Sequence, residues 1–192
     1  MDRLYTPWRY DYIKGASGEK TGFGDSCVFC ALPARDDDES TYILHRARHN
    51  FVVLNVYPYT SGHLMIVPFE HTADFAALDV ETSNELMRLA KLTVGLLEEA
   101  YHPHGFNLGM NLGRAAGAGV TDHLHMHLLP RWLGDANFMT TVGETRVLPE
   151  DLRMTYDKLR GRFESLPPST GRYRGLPVAS TRTTRHIVSQ DP

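Results

Sequence analysis

The chain has 192 residues, 42% of them hydrophobic, a length that suits one substantial core rather than two. Its formal net charge of -3 provides no general attraction to nucleic acid or to anionic lipid, so we expect neither as a partner. No apolar run approaches the roughly 18 to 20 residues of a membrane span, and the N-terminus lacks the apolar segment of a secretory signal. We therefore expect a cytoplasmic protein.

The sequence predicts one folded domain over residues 27–166. An arm over residues 1–26 precedes it, rich in Gly, Lys, Tyr and Trp but without sustained periodicity. A tail over residues 167–192 follows it, and its Ser, Thr, Arg, Gly and Pro content predicts flexibility. No internal repeat is present.

Cys27 and Cys30 are the chain's two cysteines and have the spacing C-x-x-C. In a reducing compartment such a pair favours a metal site or free thiols over a structural disulfide. The acidic run at residues 36–39 is predicted to form a solvated loop before the first strand.

Two β-type segments, residues 42–45 and 51–54, flank a polar stretch and predict a hairpin. Pro58 and Gly62 then mark a turn. Residues 63–68 are predicted to form the third strand.

A long helix is predicted from Thr82, because Thr82 and Glu85 have capping-box spacing and apolar residues then recur three and four positions apart. Pro103 and Gly105 end it. We expect this helix to pack on the sheet.

The chain then resumes an extended pattern over residues 106–111, and a loop of small residues follows at 113–119. Residues 148–163 have the period of a second, amphipathic helix.

Residues 122–131 carry a histidine at every second position, which is a strand pattern. His123, His125 and His127 are expected on one face, and Leu124, Met126 and Leu128 on the other. Three imidazoles on one face could bind a transition metal, form a phosphate site or include a nucleophile. The preceding glycines let the backbone approach a ligand, and turn amides can bind an anion.

The stretch His123–Leu129 resembles the His-φ-His-φ-His-φ-φ signature of the histidine triad (HIT) superfamily. Residues 55–68 resemble that family's N-x-x-P-x-x-x-G-H-x-x-x-x-P segment, and the likeness extends over about residues 27–163. Three further segments look most like bacterial diadenosine tetraphosphate phosphorylases of the HIT type: residues 54–59, 103–107 and 130–138.

The resemblance implies an α+β HIT fold, with a mostly antiparallel sheet, one long helix packed on it and a C-terminal helix. It also implies a homodimer or a dimer of dimers. Nucleotide and inorganic phosphate would be the small-molecule partners, and no organic cofactor is expected.

The implied reaction is nucleotidyl transfer from dinucleoside polyphosphates. His125 would attack the α-phosphorus, and water or inorganic phosphate would cleave the resulting nucleotidyl-histidine. His127 would fix an α-phosphate oxygen, and His123 would assist the leaving group or orient the site.

The resemblance also implies a set of supporting residues. Asn111 would position the phosphate, Asn55 would meet the ribose, and His63 would stand behind the triad. Gly117 and Gly119 would line the anion site, and Trp132 would border the pocket.

The chain departs from the family's hydrolases just before the triad. They commonly carry Gly-Gln-Ser or Gly-Gln-Thr there, whereas this chain has Ala118-Gly119-Val120. The space left at Gly119 would admit phosphate as the acceptor, which favours phosphorolysis of diadenosine tetraphosphate to ATP and ADP. Hydrolysis of dinucleoside polyphosphates or nucleoside phosphoramidates is the alternative, and a non-catalytic nucleotide-binding or interaction module is a third.

A structural zinc ion is also implied. Some HIT proteins join a C-x-x-C pair to two histidines, which correspond here to His71 and the first triad histidine. Cys27, Cys30, His71 and His123 would form a closed Cys₂His₂ set. A metal on His123 would remove that nitrogen from acid catalysis.

Overall fold

An antiparallel sheet positions the rest of the chain. The computed structural model describes residues 27–136, 138–143 and 148–166, so the arm and the tail lie outside the described residues. Within them the strand order is β1-β2-β3-β5-β4, with every neighbouring pair antiparallel. The strands are β1 Ile43–Arg46, β2 Asn50–Leu54, β3 Leu64–Pro68, β4 Gly105–Met110 and β5 Met126–Arg131.

The helices of the described part differ greatly in length. They are α1 Val28–Ala31, α2 Asp38–Thr41, α3 Val80–Tyr101, α4 Phe138–Thr141 and α5 Leu152–Glu164, with 3₁₀ turns at Pro33–Arg35 and Arg114–Ala116. None of these helices is long and apolar enough to cross a bilayer. The α+β class, the antiparallel sheet, the long helix and the C-terminal helix are confirmed.

The two faces of the sheet bury different apolar sets because strand side chains alternate. One face packs against α3 and α5 and forms the larger core, which includes Val52, Leu54, Leu64, Ile66, Met126, Leu128, Leu89, Leu97, Leu159 and Phe163. The opposite face buries a smaller cluster: Phe29, Ile43, Phe51, Val53, Met65 and Val67. His127 pairs with Met65 and points to this second face, as the alternation predicts.

Two elements near the site start differently from the sequence prediction. The regular strand begins at Met126, because the Leu124 amide donates to the Thr72 carbonyl at 2.8 Å instead of to a neighbouring strand. His123 and His125 therefore precede the strand. The acidic run is also not simply a loop: Asp37 caps α2 by accepting from the Ser40 amide.

The predicted capping box of the long helix is wrong. α3 begins two residues earlier, and Asp79 caps it by accepting from the Thr82 amide at 2.8 Å. The Glu85 carboxylate instead accepts from backbone amides of the β1–β2 turn, those of His49 at 2.6 Å and Asn50 at 2.8 Å. It also accepts from the Asn50 side-chain amide at 2.9 Å.

Replacing Glu85 by Ala should destabilise the fold by about 1 to 3 kcal/mol, because the buried donors of Asn50 lose their acceptor. Glu99→Ala, an exposed position on the same helix, is the matched control and should change stability by less than about 0.5 kcal/mol. Urea unfolding measures both. Equal midpoints and slopes for the two variants would contradict this role for Glu85.

Candidate active site and metal cluster

The candidate active site lies on the sheet face opposite α3 and α5. His127 belongs to β5, whereas His123 and His125 lie in the extended segment just before it. The Leu124 amide ties this segment to the loop after β3 through the Thr72 carbonyl. Two members of the smaller apolar cluster adjoin the histidines: Phe29 contacts His123 and His125, and Met65 pairs with His127.

His125 is held as one neutral tautomer. Its ring is 6% exposed, and Nδ1 lies 3.0 Å from the backbone carbonyl oxygen of His123. Since a carbonyl can only accept, Nδ1 must donate, and the lone pair lies on Nε2. Burial lowers the pKa of His125, and the hydrogen bond to His123 offsets part of that shift. The ring is therefore a neutral potential nucleophile near pH 7.

A chain of hydrogen bonds orients His127. The Tyr59 amide donates to Nδ1 of His63 at 3.2 Å, so the hydrogen of His63 lies on Nε2. That nitrogen is 3.0 Å from Nδ1 of His127 and donates to it. The hydrogen of His127 therefore lies on Nε2. The His125 and His127 rings are 4.9 Å apart, which places a lone pair and a donor side by side.

Asn55 supports this chain from behind. Its side chain is buried, and Oδ1 accepts from the Tyr57 amide at 3.0 Å. The amide nitrogen therefore faces the His63 ring, at 3.3 Å from Nδ1 and 3.4 Å from Nε2. The ribose contact expected for Asn55 stays a prediction.

The two ring nitrogens of His123 both lie near groups outside the His125–His127 pair. Its Nε2 lies 2.8 Å from the Pro68 carbonyl oxygen and donates to it, which leaves the lone pair on Nδ1. Nδ1 lies 3.3 Å from Cys27 Sγ and 3.3 Å from His71 Nδ1. Both ring nitrogens of His123 are thus engaged outside the reaction, which favours the metal over the leaving-group alternative.

Four potential ligand atoms converge beside His123. The Cys27 and Cys30 sulfurs and one ring nitrogen each of His71 and His123 lie within 4.8 Å of one another. Two thiols and two imidazoles suit a tetrahedral transition metal, and the donation from His123 to Pro68 is the kind of contact that orients a histidine ligand. Burial raises the pKa of the Cys30 thiol, as does the neighbouring Cys27. A bound cation would counter this rise in pKa because it favours the deprotonated thiols.

The remaining predicted site residues fall into two groups. Met110 of β4 pairs with Met126 of β5. Asn111 follows Met110 and His125 precedes Met126, so Asn111 and His125 lie at the same end of the sheet. Trp132 follows the other end of β5, about 20 Å along the strand, and its ring packs on Tyr101 at 6.3 Å. The fold therefore does not bring Trp132 to the triad within the chain.

The small-residue loop carries Gly117 and Gly119 beside the triad segment. Gly117 has a φ of 88°, and its amide donates to the Arg114 carbonyl at 2.9 Å. The Ala116 and Ala118 amides also donate within the loop, both to Gly113. An anion would therefore have to be bound by other amides of the loop, such as that of Gly119.

Two contributors were missed in the sequence. Phe29 packs against both His123 and His125, with ring centroids 5.5 Å and 4.9 Å away. Its position between Cys27 and Cys30 was a usable signal. The Tyr59 contribution is a backbone amide, which no side-chain pattern reveals.

These features define a histidine triad protein, and the chain belongs to the HIT family. The HIT domain profile matches residues 37–132, half of the chain. The chain is 37% identical over 158 residues to the AP-4-A phosphorylase of Mycobacterium tuberculosis (strain ATCC 25618 / H37Rv), an alignment that covers 81% of this chain and 80% of that protein. The family expected from the sequence is confirmed.

Two further relatives are informative. The adenosine 5'-monophosphoramidase hnt1 of Schizosaccharomyces pombe (strain 972 / ATCC 24843) is 29% identical over 106 residues, which cover 55% of this chain and 74% of that protein. The structure of a Zn-bound histidine triad family protein from Mycobacterium smegmatis matches with a TM-score of 0.59 and 28% identity, over 72% of this chain and 94% of that one. The HIT fold is thereby confirmed.

The cluster should bind Co²⁺ with the thiolate-to-metal absorption that reports cysteine ligands, because both sulfurs face one point. Titration of metal-depleted protein measures this band. Cys30→Ser should weaken it and lower the affinity, and His71→Ala should lower the affinity. His104→Ala, at an exposed histidine outside the cluster, is the control. Unchanged spectra and affinity in both cluster variants would contradict the assignment.

Proposed function

We propose that the chain is a nucleotidyltransferase that cleaves dinucleoside polyphosphates, with phosphorolysis of diadenosine tetraphosphate to ATP and ADP as its reaction. The main support for this proposal is the hydrogen bond from His125 Nδ1 to the His123 carbonyl, which leaves the lone pair of the neutral ring on Nε2. A neutral imidazole is a competent nucleophile without a separate base. The HIT family membership and the homologous AP-4-A phosphorylase support the substrate class.

In the first step, Nε2 of His125 attacks the α-phosphorus of diadenosine tetraphosphate. A phosphorus–nitrogen bond forms, the bond from that phosphorus to the bridging oxygen breaks, and ATP leaves. His127 donates its Nε2 hydrogen to a non-bridging oxygen, where charge accumulates. Both ring nitrogens of His123 are engaged elsewhere, so a proton for the leaving group comes from solvent.

In the second step, an oxygen of inorganic phosphate attacks the adenylyl-histidine from the side that ATP left. The phosphorus–nitrogen bond breaks, its electron pair returns to Nε2 of His125, and ADP leaves. His127 again donates to the non-bridging oxygen. His125 is thus the nucleophile of the first displacement and the leaving group of the second, and His127 is the donor in both.

Val120 supports phosphate over water as the acceptor. In the family's hydrolases a hydroxyl residue occupies the aligned position, but Val120 is partly buried and packs against the smaller apolar cluster. Its neighbour Gly119 adds no side chain. The pocket then lacks the side-chain contacts of the hydrolases at these two positions and retains room for a second anion.

The other substrate contacts follow from the family pattern. Asn111 would bind the phosphate from the end of the sheet that carries His125, together with backbone of the loop at Gly117 and Gly119. Asn55 would meet the ribose while its amide orients His63. Trp132 would contact the substrate only if the ligand or a second subunit bridges the length of β5.

The resident metal we propose is a structural zinc ion. The donor set is soft, closed and composed of four protein ligands, Cys27, Cys30, His71 and His123, which is the composition of structural sites. The Zn-bound homologous structure supports the choice of metal. Zinc would supply cross-linking of the turn at the cysteines to the loop after β3.

We also propose a homodimer or a dimer of dimers in the cytoplasm. Among the residues that the structure describes, β4 is the last strand at one edge of the sheet, and its residues Asn107, Leu108 and Gly109 are exposed. Leu108 and Leu112 each leave about half of their side chains exposed, at 47% and 49%. An open strand edge with apolar side chains is suited to pairing with a second copy.

Hydrolysis of nucleoside phosphoramidates is the second candidate, favoured by the homologous monophosphoramidase. It uses the same His125 and differs only in the leaving group and acceptor. A non-catalytic nucleotide-binding or interaction module would need no nucleophile at all.

The products formed from diadenosine tetraphosphate test the proposal. With inorganic phosphate present we expect ATP and ADP in equal amounts, and without it turnover should fall by at least about tenfold because the acceptor is missing. His125→Ala should lose about 10⁴-fold or more of the rate while it still binds nucleotide. AMP and ATP at the same rate with or without phosphate would refute phosphorolysis. Full activity of His125→Ala would refute the nucleophile.

A further inference from the structure

The ring of Phe29 lies between the metal cluster and the candidate nucleophile. Phe29 is 4% exposed and lies on α1, in the turn that also carries Cys27 and Cys30. Its ring centroid is 4.9 Å from that of His125, with an interplanar angle of 43°. It is therefore part of the wall that limits how the His125 ring can rotate.

The turn that carries Phe29 has little stability of its own. α1 has four residues, no side-chain cap, and hydrogen bonds from the Cys30 and Ala31 amides to the Cys27 carbonyl. A helix this short is not stable alone. Its position depends on Phe29 in the smaller apolar cluster and on the two sulfurs at His71 and His123.

A second connection joins the same two sites. His123 contributes Nδ1 to the cluster and its backbone carbonyl to His125. The ligand set therefore adjoins the nucleophile on two sides, through the His123 backbone and through the Phe29 ring. Both routes act on one hydrogen bond: the His123 carbonyl accepts from Nδ1, and the Phe29 ring limits rotation of the imidazole away from the orientation in which that bond forms. Rotation of the ring would break the bond and release the tautomer.

We propose that Phe29 is a positioning residue that makes the orientation of His125 depend on metal bound at Cys27, Cys30, His71 and His123. The proposal rests on the proposed function for the role of His125. When metal holds both sulfurs, α1 is fixed and Phe29 holds the imidazole with Nε2 toward the substrate. When the metal is removed, α1 is released, Phe29 moves, and His125 samples other orientations.

The size of the effect follows from the need for alignment. A nucleophile must approach phosphorus in line with the leaving oxygen, and a displacement of about 1 Å can cost on the order of a hundredfold in rate. Loss of the Phe29 ring should therefore lower kcat by about tenfold or more while KM changes by less than about threefold.

The test compares Phe29→Leu with Phe51→Leu in full-length, zinc-loaded protein. Phe51 is a matched control because it is fully buried in the same apolar cluster but its ring packs on Phe69, 5.2 Å away. Zinc content is measured for each variant. Nitrogen NMR spectra of protein with isotope-labelled histidine rings then report the His125 tautomer without substrate, with His125→Gln identifying its signals.

We expect wild type and Phe51→Leu to show one His125 tautomer, hydrogen on Nδ1, which becomes a mixture when a chelator removes zinc. Phe29→Leu should show the mixture with zinc still bound, and its kcat should fall. A single tautomer in zinc-loaded Phe29→Leu with kcat within about twofold of Phe51→Leu would overturn the proposal, as would a rise in KM alone. The spectra need no turnover, so failure of this inference is distinguishable from failure of the proposed function.

Discussion

The hydrogen bond from His125 Nδ1 to the His123 carbonyl is the constraint on which the site depends. It fixes which nitrogen of His125 carries the lone pair, and burial keeps the ring neutral by lowering its pKa. The same His123 turns its side chain to the thiols and its Nε2 hydrogen to Pro68. His123 thus contributes its side chain to the candidate metal cluster and its backbone carbonyl to the proposed nucleophile.

The sheet separates the candidate site from the larger core because its two faces carry different side chains. Met126 and Leu128 enter the core under α3 and α5, while His127 points to the other face. There, His63 and the Tyr59 amide set the tautomer of His127, which places its Nε2 hydrogen beside the proposed nucleophile His125. The ring nitrogens of His125 and His127 are therefore oriented by hydrogen bonds to a backbone carbonyl and to a neighbouring imidazole.

Much of the fold could be predicted because strand and helix periods survive in the sequence: the hairpin, the long helix and the alternation of β5 from Met126 onward are all present. The start of β5 could not be predicted, since the Leu124 amide donates to the Thr72 carbonyl, which lies in a loop distant in sequence. Glu85 has capping-box spacing, but its carboxylate accepts from the His49 amide of the β1–β2 turn instead of from an amide at the start of its own helix. The metal cluster was suggested by spacing, whereas Phe29 and the Tyr59 amide act through tertiary contacts that spacing does not encode.

In the proposed reaction, Nε2 of His125 becomes covalently bonded to the substrate's α-phosphorus. The direct measurement is mass analysis of protein mixed with diadenosine tetraphosphate in the absence of phosphate and quenched in base, followed by peptide mapping. We expect one adenylyl group per chain on His125, lost when phosphate is added, with ADP formed in its place. ATP formed by the enzyme without any adenylylated protein, or an adenylyl group on His123 or His127, would contradict the account.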